Sequence, residues 1–280
     1  MAKRIEFWKM HGLGNDYIVI DNRNQKIVDA EMPALAKKLC ERRFSVGADG
    51  IIFACRSVIA DVKMRIFNMD GSEAEMCGNG IRCLAKFCFE NKIVEKHLVH
   101  IETLAGIKEL WLQVEENSVK SVRVNVGKPQ FEREKIPMLG KGTFINKPLN
   151  INGEKIRATT LSLGNPHCVI FVEKLDGYPV DKLGPKIEGH RLFPKRTNVE
   201  FVQILSKNEI RVRAWERGVG ETLACGTGAC ASVVAANTLG KIGERAIVHL
   251  LGGDLKVEYL DGVVFMEGPA EKVFEGQIIL

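Results

Sequence analysis

The chain alternates between short β-branched runs and two stretches of helical period. Runs at 17–20, 50–53, 62–67 and 119–124, bounded by Gly, Asp and Asn, predict strands in the first half. Runs at 168–172, 199–204, 210–215 and 255–259 predict strands in the second. Between them, Ile81, Leu84, Ala85, Cys88 and Phe89 keep the i, i+3, i+4, i+7, i+8 spacing of one buried helix face. Residues 229–239 are apolar nearly all round, and a helix without a polar face must sit inside a sheet or barrel. The Pro- and Gly-rich stretch 177–194 reads as a surface excursion.

The two halves repeat each other. Met64–Gly80 aligns without gaps on Val212–Gly228, so that Arg65 falls on Arg213 and Cys77 on Cys225, a period of 213 − 65 = 148 residues. Fainter echoes pair Leu13-Gly14-Asn15 with Leu163-Gly164-Asn165, and Val99-His100-Ile101 with Val248-His249-Leu250. The expected architecture is α+β, with two pseudo-symmetric domains, each a strongly curved, mostly antiparallel sheet or barrel around a central helix. The division expected is 1–124 plus 271–280 against 125–270, with the Gly-Lys-Pro turn near 127–129 at the boundary.

Composition narrows the class. Forty Lys and Arg against 35 Asp and Glu leave a net charge of +5 with the basic residues scattered, which argues against nucleic-acid binding. The opening Met1–Lys9 has no signal-peptide core and no later run approaches a membrane span, so a cytoplasmic protein with no membrane partner is expected. Eight cysteines are too sparse for a disulfide scaffold, and none stand in Cys-x-x-Cys spacing, so neither a structural metal site nor a thioredoxin-like motif is expected. Cys40, Cys55, Cys83, Cys88, Cys168 and Cys230 read as packing thiols.

Cys77 and Cys225 differ from the rest, because each precedes a Gly-x-Gly turn that opens a helix. Unpaired N–H groups and the positive end of the helix dipole favour thiolate there, which would bring the pKa down toward neutrality and let each sulfur serve as base or acid. Gly78, Gly80, Gly226 and Gly228 let backbone N–H groups cradle a carboxylate. Two equivalent thiols suggest one site in the interdomain cleft, with a base on one face of a carbon and an acid on the other, the requirement for inverting a centre α to a carboxylate. No phosphate loop or metal cluster points to a cofactor, and none is expected.

These residues resemble the diaminopimelate epimerases, pyridoxal-independent enzymes that interconvert LL- and meso-diaminopimelate. The resemblance rests on residues 10–17, 67–83, Gly164-Asn165-Pro166-His167, Arg196-Thr197-Asn198-Val199 and Glu216-Arg217-Gly218 through Gly228. It implies Cys77 and Cys225 as the acid–base pair, with Gly78, Asn79, Gly226 and Thr227 on the reacting carboxylate and amine. It further implies substrate contacts from Asn15, Asn68, Asn165, Asn198, Glu216 and Arg217, with the Arg217 guanidinium suited to a bidentate grip on the distal carboxylate. His167 is expected beside the site as a tuning residue. Where some members carry Gln after the Asp of the first-domain loop, this chain reads Ala48-Asp49-Gly50, and a side-chain contact would be lost. The partner expected is a small-molecule substrate, with a homodimer through exposed strands left open. A proline or hydroxyproline-type racemase on the same fold is the alternative, and a non-catalytic binding or thiol-redox protein a third.

Overall fold

A computed structural model describes residues 4–279, which divide into two compact units, 4–124 with 268–279 and 125–267. The first contains β1 (Arg4–Gly12), β2 (Asn15–Asp21), α1 (Met32–Cys40), β3 (Gly50–Cys55), β4 (Val62–Asn68), β5 (Glu73–Ala74), α2 (Gly78–Glu90), β6 (Leu98–Thr103), β7 (Gly106–Glu115) and most of β8 (Ser118–Gly127). The second contains β9 (Lys147–Ile151), β10 (Glu154–Ser162), β11 (Pro166–Phe171), α3 (Val180–Glu188), β12 (Asn198–Ser206), β13 (Glu209–Glu216), β14 (Gly220–Thr222), α4 (Gly226–Thr238), β15 (Arg245–Leu250), β16 (Gly253–Leu260) and β17 (Val263–Gly268). The chain then supplies β18 (Glu271–Ile279) to the first unit, antiparallel to β1.

Each unit is one mostly antiparallel sheet. The first runs β18-β1-β2-β3-β4-β6-β7-β8, and the second β9-β10-β11-β12-β13-β15-β16-β17, with the short β5 and β14 folded back on β4 and β13. In the first, β2–β3 and β4–β6 are parallel, and in the second β11–β12 and β13–β15 are parallel. No pairing among the described residues joins β18 to β8 or β9 to β17, so each sheet is open rather than a closed barrel. α2 packs against β1, β2, β3, β4 and β7. Laid flat, strands five places apart would span about 24 Å, far wider than one helix, so the sheet must curve around α2.

The period of 148 is obeyed by the helices. α2 (78–90) maps onto α4 (226–238), and α1 (32–40) onto α3 (180–188). α3 overturns the reading of 177–194 as a surface excursion. It survives Pro185 in its interior because Val180 and Ile187 are buried with Val199 and Phe201, and because the Trp215 indole N–H donates to Glu188 at 2.8 Å. A Cβ on Gly184 would lie 2.5 Å from that indole ring, so the glycine lets helix and strand approach.

α2 corrects a second expectation. Rather than one buried face, residues 78–88 are all buried, Arg82 and Lys86 among them, while Phe89 is only half-buried. Those polar groups are tolerated because they are satisfied internally. Arg82 donates to the carbonyls of Gly78 (3.0 Å) and Pro269 (3.1 Å) and to Asn79 Oδ1 (3.0 Å), and Lys86 donates to the Val119 carbonyl at 2.7 Å.

Candidate active site

Each cysteine singled out by the sequence is the N-cap of its buried helix. Cys77 (φ −138°, ψ 125°) precedes α2 and Cys225 (φ −110°, ψ 109°) precedes α4, both extended where the next residue turns helical. The sequence enforces this: a Cβ on Gly80 would meet Ile52 at 3.0 Å, and one on Gly228 would meet Glu200 Oε1 at 2.8 Å, so only glycine lets each helix start so close to its sheet.

Cys77 contacts neutral polar groups. Its Sγ lies 3.0 Å from Tyr17 Oη and 3.8 Å from Asn15 Oδ1. Asn15 Oδ1 accepts from Tyr17 Oη at 2.5 Å and from Asn79 Nδ2 at 3.3 Å, while Asn15 Nδ2 donates to Asp49 at 2.9 Å. Burial, reinforced by the Cys77 sulfur, pushes the Tyr17 phenol well above its usual pKa, so Tyr17 is a hydrogen-bond donor here and not a phenolate. Asp49 and Asp16 anchor the loop from behind, with Arg42 bridging both and Lys9 pairing with Asp16 at 2.7 Å. Burial would raise the Asp16 carboxyl, but the Arg42 and Lys9 contacts outweigh it and hold it at about 2. Gly50 fits this wall for a steric reason: a Cβ would stand 2.7 Å from the Phe67 carbonyl and 3.3 Å from the Tyr17 ring.

Around Cys225 the groups are ionisable. Its Sγ accepts from the Gly228 N–H at 3.4 Å and lies 3.7 Å from Thr227 Oγ1. Thr227 accepts from Asn165 Nδ2 at 3.2 Å, and Asn165 Oδ1 faces His167 Nε2 at 2.9 Å. His167 Nδ1 faces Glu200 Oε1 at 2.7 Å, both side chains being fully buried. Glu216 Oε1 accepts from the Thr222 hydroxyl at 2.6 Å and the carboxyl also hydrogen-bonds Cys225. Burial chiefly, with the adjacent Glu200 charge, raises the Glu216 carboxyl against the Thr222 and Cys225 hydrogen bonds.

The helix dipole does not lower the Cys225 thiol, contrary to the expectation from its position. Burial first, then the negative charges of Glu216 and Glu200, push it well above the usual thiol value, and the Gly228 N–H and Thr227 hydroxyl offset only part. The dipole acts within one turn and is worth at most about 2 kcal/mol, less than desolvation of a fully buried thiolate.

The sequence-picked residues divide accordingly. Cys77, Gly78, Asn79 and Asn15 gather in the first unit; Cys225, Gly226, Thr227, Asn165, His167 and Glu216 gather in the second. Asn68 is exposed and bonds Ser72 Oγ at 2.9 Å within its own turn. Asn198 spends its amide on backbone, donating to the Pro166 carbonyl (3.0 Å) and accepting from the Arg217 N–H (2.9 Å). The Arg217 guanidinium is exposed, with one contact to the Lys195 carbonyl at 3.3 Å. Tyr17, Glu200, Thr222 and Arg82 are the groups that sequence reasoning passed over. Tyr17 and His167 each stand two positions after the Asn of an echoed Leu-Gly-Asn, and that register was the signal available. Cys83 is fully buried and burial pushes it up to about 12; Cys88 and Cys168 are raised by the same cause, in keeping with packing roles.

No helix among the described residues is long and apolar enough to cross a membrane. Residues 7–132 and 159–273 match the family described as diaminopimelate epimerase. The chain is 53% identical over 275 residues to a diaminopimelate epimerase of Pelotomaculum thermopropionicum, covering 98% of each, and 50% identical over 279 residues to one of Moorella thermoacetica, covering 99% of this chain and 100% of that one. Among solved structures it is similar to a hydroxyproline epimerase from Agrobacterium vitis (TM-score 0.73, 15% identity, 99% and 93% covered). A Bacillus anthracis protein of the phenazine biosynthesis PhzF family is comparably similar (TM-score 0.72, 19% identity, 99% and 100% covered). These two likenesses speak for the fold alone.

Proposed function

Because the chain belongs to the diaminopimelate epimerase family, we propose that it interconverts LL- and meso-diaminopimelate, with Cys77 and Cys225 as the acid–base pair. The observation that carries this reading is the recurrence of a cysteine N-cap on each of two duplicated buried helices. One sulfur, as thiolate, takes the proton from Cα and becomes a thiol. The resulting carbanion, delocalised into its carboxylate, receives a proton from the opposite side from the second thiol, which is left as thiolate. The charges balance, and the reverse reaction exchanges the roles.

The N–H groups at the starts of α2 and α4 support stabilisation of the developing enediolate charge, since oriented donors cost no reorganisation. The raised Cys225 thiol and the Tyr17–Cys77 contact support Cys225 as the resting proton donor, opposite a hydrogen-bonded Cys77. Asn15, Asn79, Asn165 and Thr227 are assigned to the zwitterionic centre; Asn68, Asn198 and Arg217 are assigned to the rest of the substrate, Arg217 having a guanidinium free enough in solvent to turn toward a carboxylate. His167 and Glu216 tune Cys225. The reaction serves the making of lysine, in the cytoplasm, and the scheme calls on no cofactor. The proline-type alternative has fold likeness behind it, and no residue contact favours it.

The test is proton NMR of LL-diaminopimelate with the protein in D2O under reducing conditions. Loss of one Cα–H signal as the meso form appears is expected. No exchange there, with exchange on proline or hydroxyproline, overturns the substrate.

A further inference from the structure

One group in the second unit has no counterpart in the first. Glu200 sits within β12, fully buried, with Oε1 2.7 Å from His167 Nδ1 and Oε2 without a hydrogen-bond partner among the described residues. A buried carboxyl satisfied on one side only is costly, and packing does not call for it. The repeat offset shows why: 200 − 148 = 52, and Ile52 fills that place in β3, fully buried. The equivalent glycines, Gly80 and Gly228, look onto Ile52 in one copy and onto Glu200 in the other. The scaffold accepts an alkyl group where the second unit keeps a carboxyl.

We propose that Glu200 is a positioning residue for Cys225, fixing through His167 and Asn165 the direction in which the Thr227 hydroxyl points. The proposal rests on the acid–base role assigned above to Cys225. Asn165 Oδ1 only accepts, so His167 Nε2, 2.9 Å away, must carry a proton. Glu200 secures this from the other nitrogen by sharing one further proton with it: held on the carboxyl, that proton is donated to a bare Nδ1, and held on the ring it makes an imidazolium whose Nδ1–H is donated to the carboxylate. Either way Nε2 keeps its proton. With Oδ1 thus engaged, the Asn165 amide turns Nδ2 toward Thr227 Oγ1 at 3.2 Å. Thr227 then accepts from Asn165, and its own proton is left for Cys225 Sγ at 3.7 Å. Without Glu200 the ring can move its proton to Nδ1. Asn165 would then reverse its amide, and the Thr227 hydroxyl would donate to Asn165 and abandon the sulfur.

The experiment uses the full chain with Glu200→Ile, the residue of the other copy, and Glu200→Gln, whose amide offers Nδ1 either a donor or an acceptor. Nitrogen-15 NMR of the His167 ring is expected to show Nε2 protonated in the wild type and a shift toward the Nδ1–H form in both variants. An unchanged ring spectrum in both overturns the proposal, whether or not the chain is an epimerase. In kinetics, Glu200→Ile is expected to lower kcat about tenfold with KM changed less than about threefold, Glu200→Gln falling between it and the wild type. On a Thr227→Val background, Glu200→Ile should cost less than about twofold, since the hydroxyl it directs is gone. Wild-type kcat in Glu200→Gln, or a fully multiplicative loss in the double variant, overturns the proposal. If Glu200→Ile does not fold, Glu200→Gln carries both readings. A wild type that exchanges no Cα proton removes the proposed function, and the ring spectrum then decides on Glu200 alone.

Discussion

The two N-cap cysteines stand in matching places on matching helices, yet one contacts neutral polar groups and the other is set among groups that bind protons. Cys77 contacts a phenol and an amide, with a second amide behind them; Cys225 feels two carboxyls and lies near a hydroxyl, with an imidazole behind one of the carboxyls. The scaffold around them was kept. The hairpin clip Arg65–Glu73, with contacts of 2.6 and 3.0 Å, recurs as Arg213–Glu221, at 2.6 and 2.9 Å. Among the differences are three positions under and beside the helix start, where Ile52, Asn68 and Asn79 become Glu200, Glu216 and Thr227 at the same offset. Duplication supplied two equal frames, and substitution at a few interior points made the sulfurs chemically unequal.

The strongest way to break this comparison is to remove each sulfur in turn. Cys77→Ala and Cys225→Ala should each cut turnover by about 10³-fold or more while circular dichroism stays native, each cysteine lying at a helix start and not in its interior. Turnover that survives in one variant would mean that one half-site suffices. Next in size is Arg82, whose place in the second copy is taken by Cys230. Arg82→Met should cost about 3 kcal/mol by removing the buried donors to Gly78, Asn79 and Pro269, read as a lower urea midpoint, whereas Cys230→Ala should cost about 1 kcal/mol. A smaller effect, on activity alone, is expected of Tyr17→Phe, which keeps the ring and deletes the hydroxyl that joins Cys77 to Asn15. A loss of about tenfold in kcat, with the melting temperature shifted by only a few degrees, would sharpen the contrast with His167.

The last effect is a pH dependence of stability. Asp16 is held at about 2, below its ordinary 3.8, so its contribution is present above pH 4 and is lost as pH falls toward 2. Asp16→Asn should lower stability by about 1–2 kcal/mol at pH 7, and the difference should close between pH 4 and 2 in acid titrations. A gap that persists at pH 2 would assign Asp16 a packing role instead.

Much of this was legible in the residues. The runs at 17–20 and 50–53 lie wholly within β2 and β3, because parallel, two-face-buried strands write themselves as continuous apolar stretches, and the run at 210–215 lies within β13, where Arg alternates with apolar residues over one buried face. The two helix starts were legible from Cys-Gly-x-Gly. Strands such as β1, β7 and β18 intersperse Lys and Glu with apolar residues, and in β1 the Lys is itself buried, which blurs the alternation. α3 was hidden by Gly184 and Pro185, although the repeat that locates Cys225 also carries α1 onto 180–188. Glu200 was not legible, since a single acid in an apolar run looks like a solvent-facing position until the strand is seen to be buried on both sides. Nor does sequence show that Asn198 turns its amide to backbone, a matter of how β11 and β12 are paired.

The pairing of β1 with β18, Arg4 opposite Ile279, sets an order on synthesis. Domains generally fold in the order they leave the ribosome, at about 5–20 residues per second. Here residues 125–267 contain every strand of their own sheet, while the unit begun first waits for residues 271–279 to cover one edge of β1. The half made second is therefore the half completed first, and until translation passes residue 279 the nascent protein carries an open strand edge that a chaperone or a neighbouring nascent chain can meet.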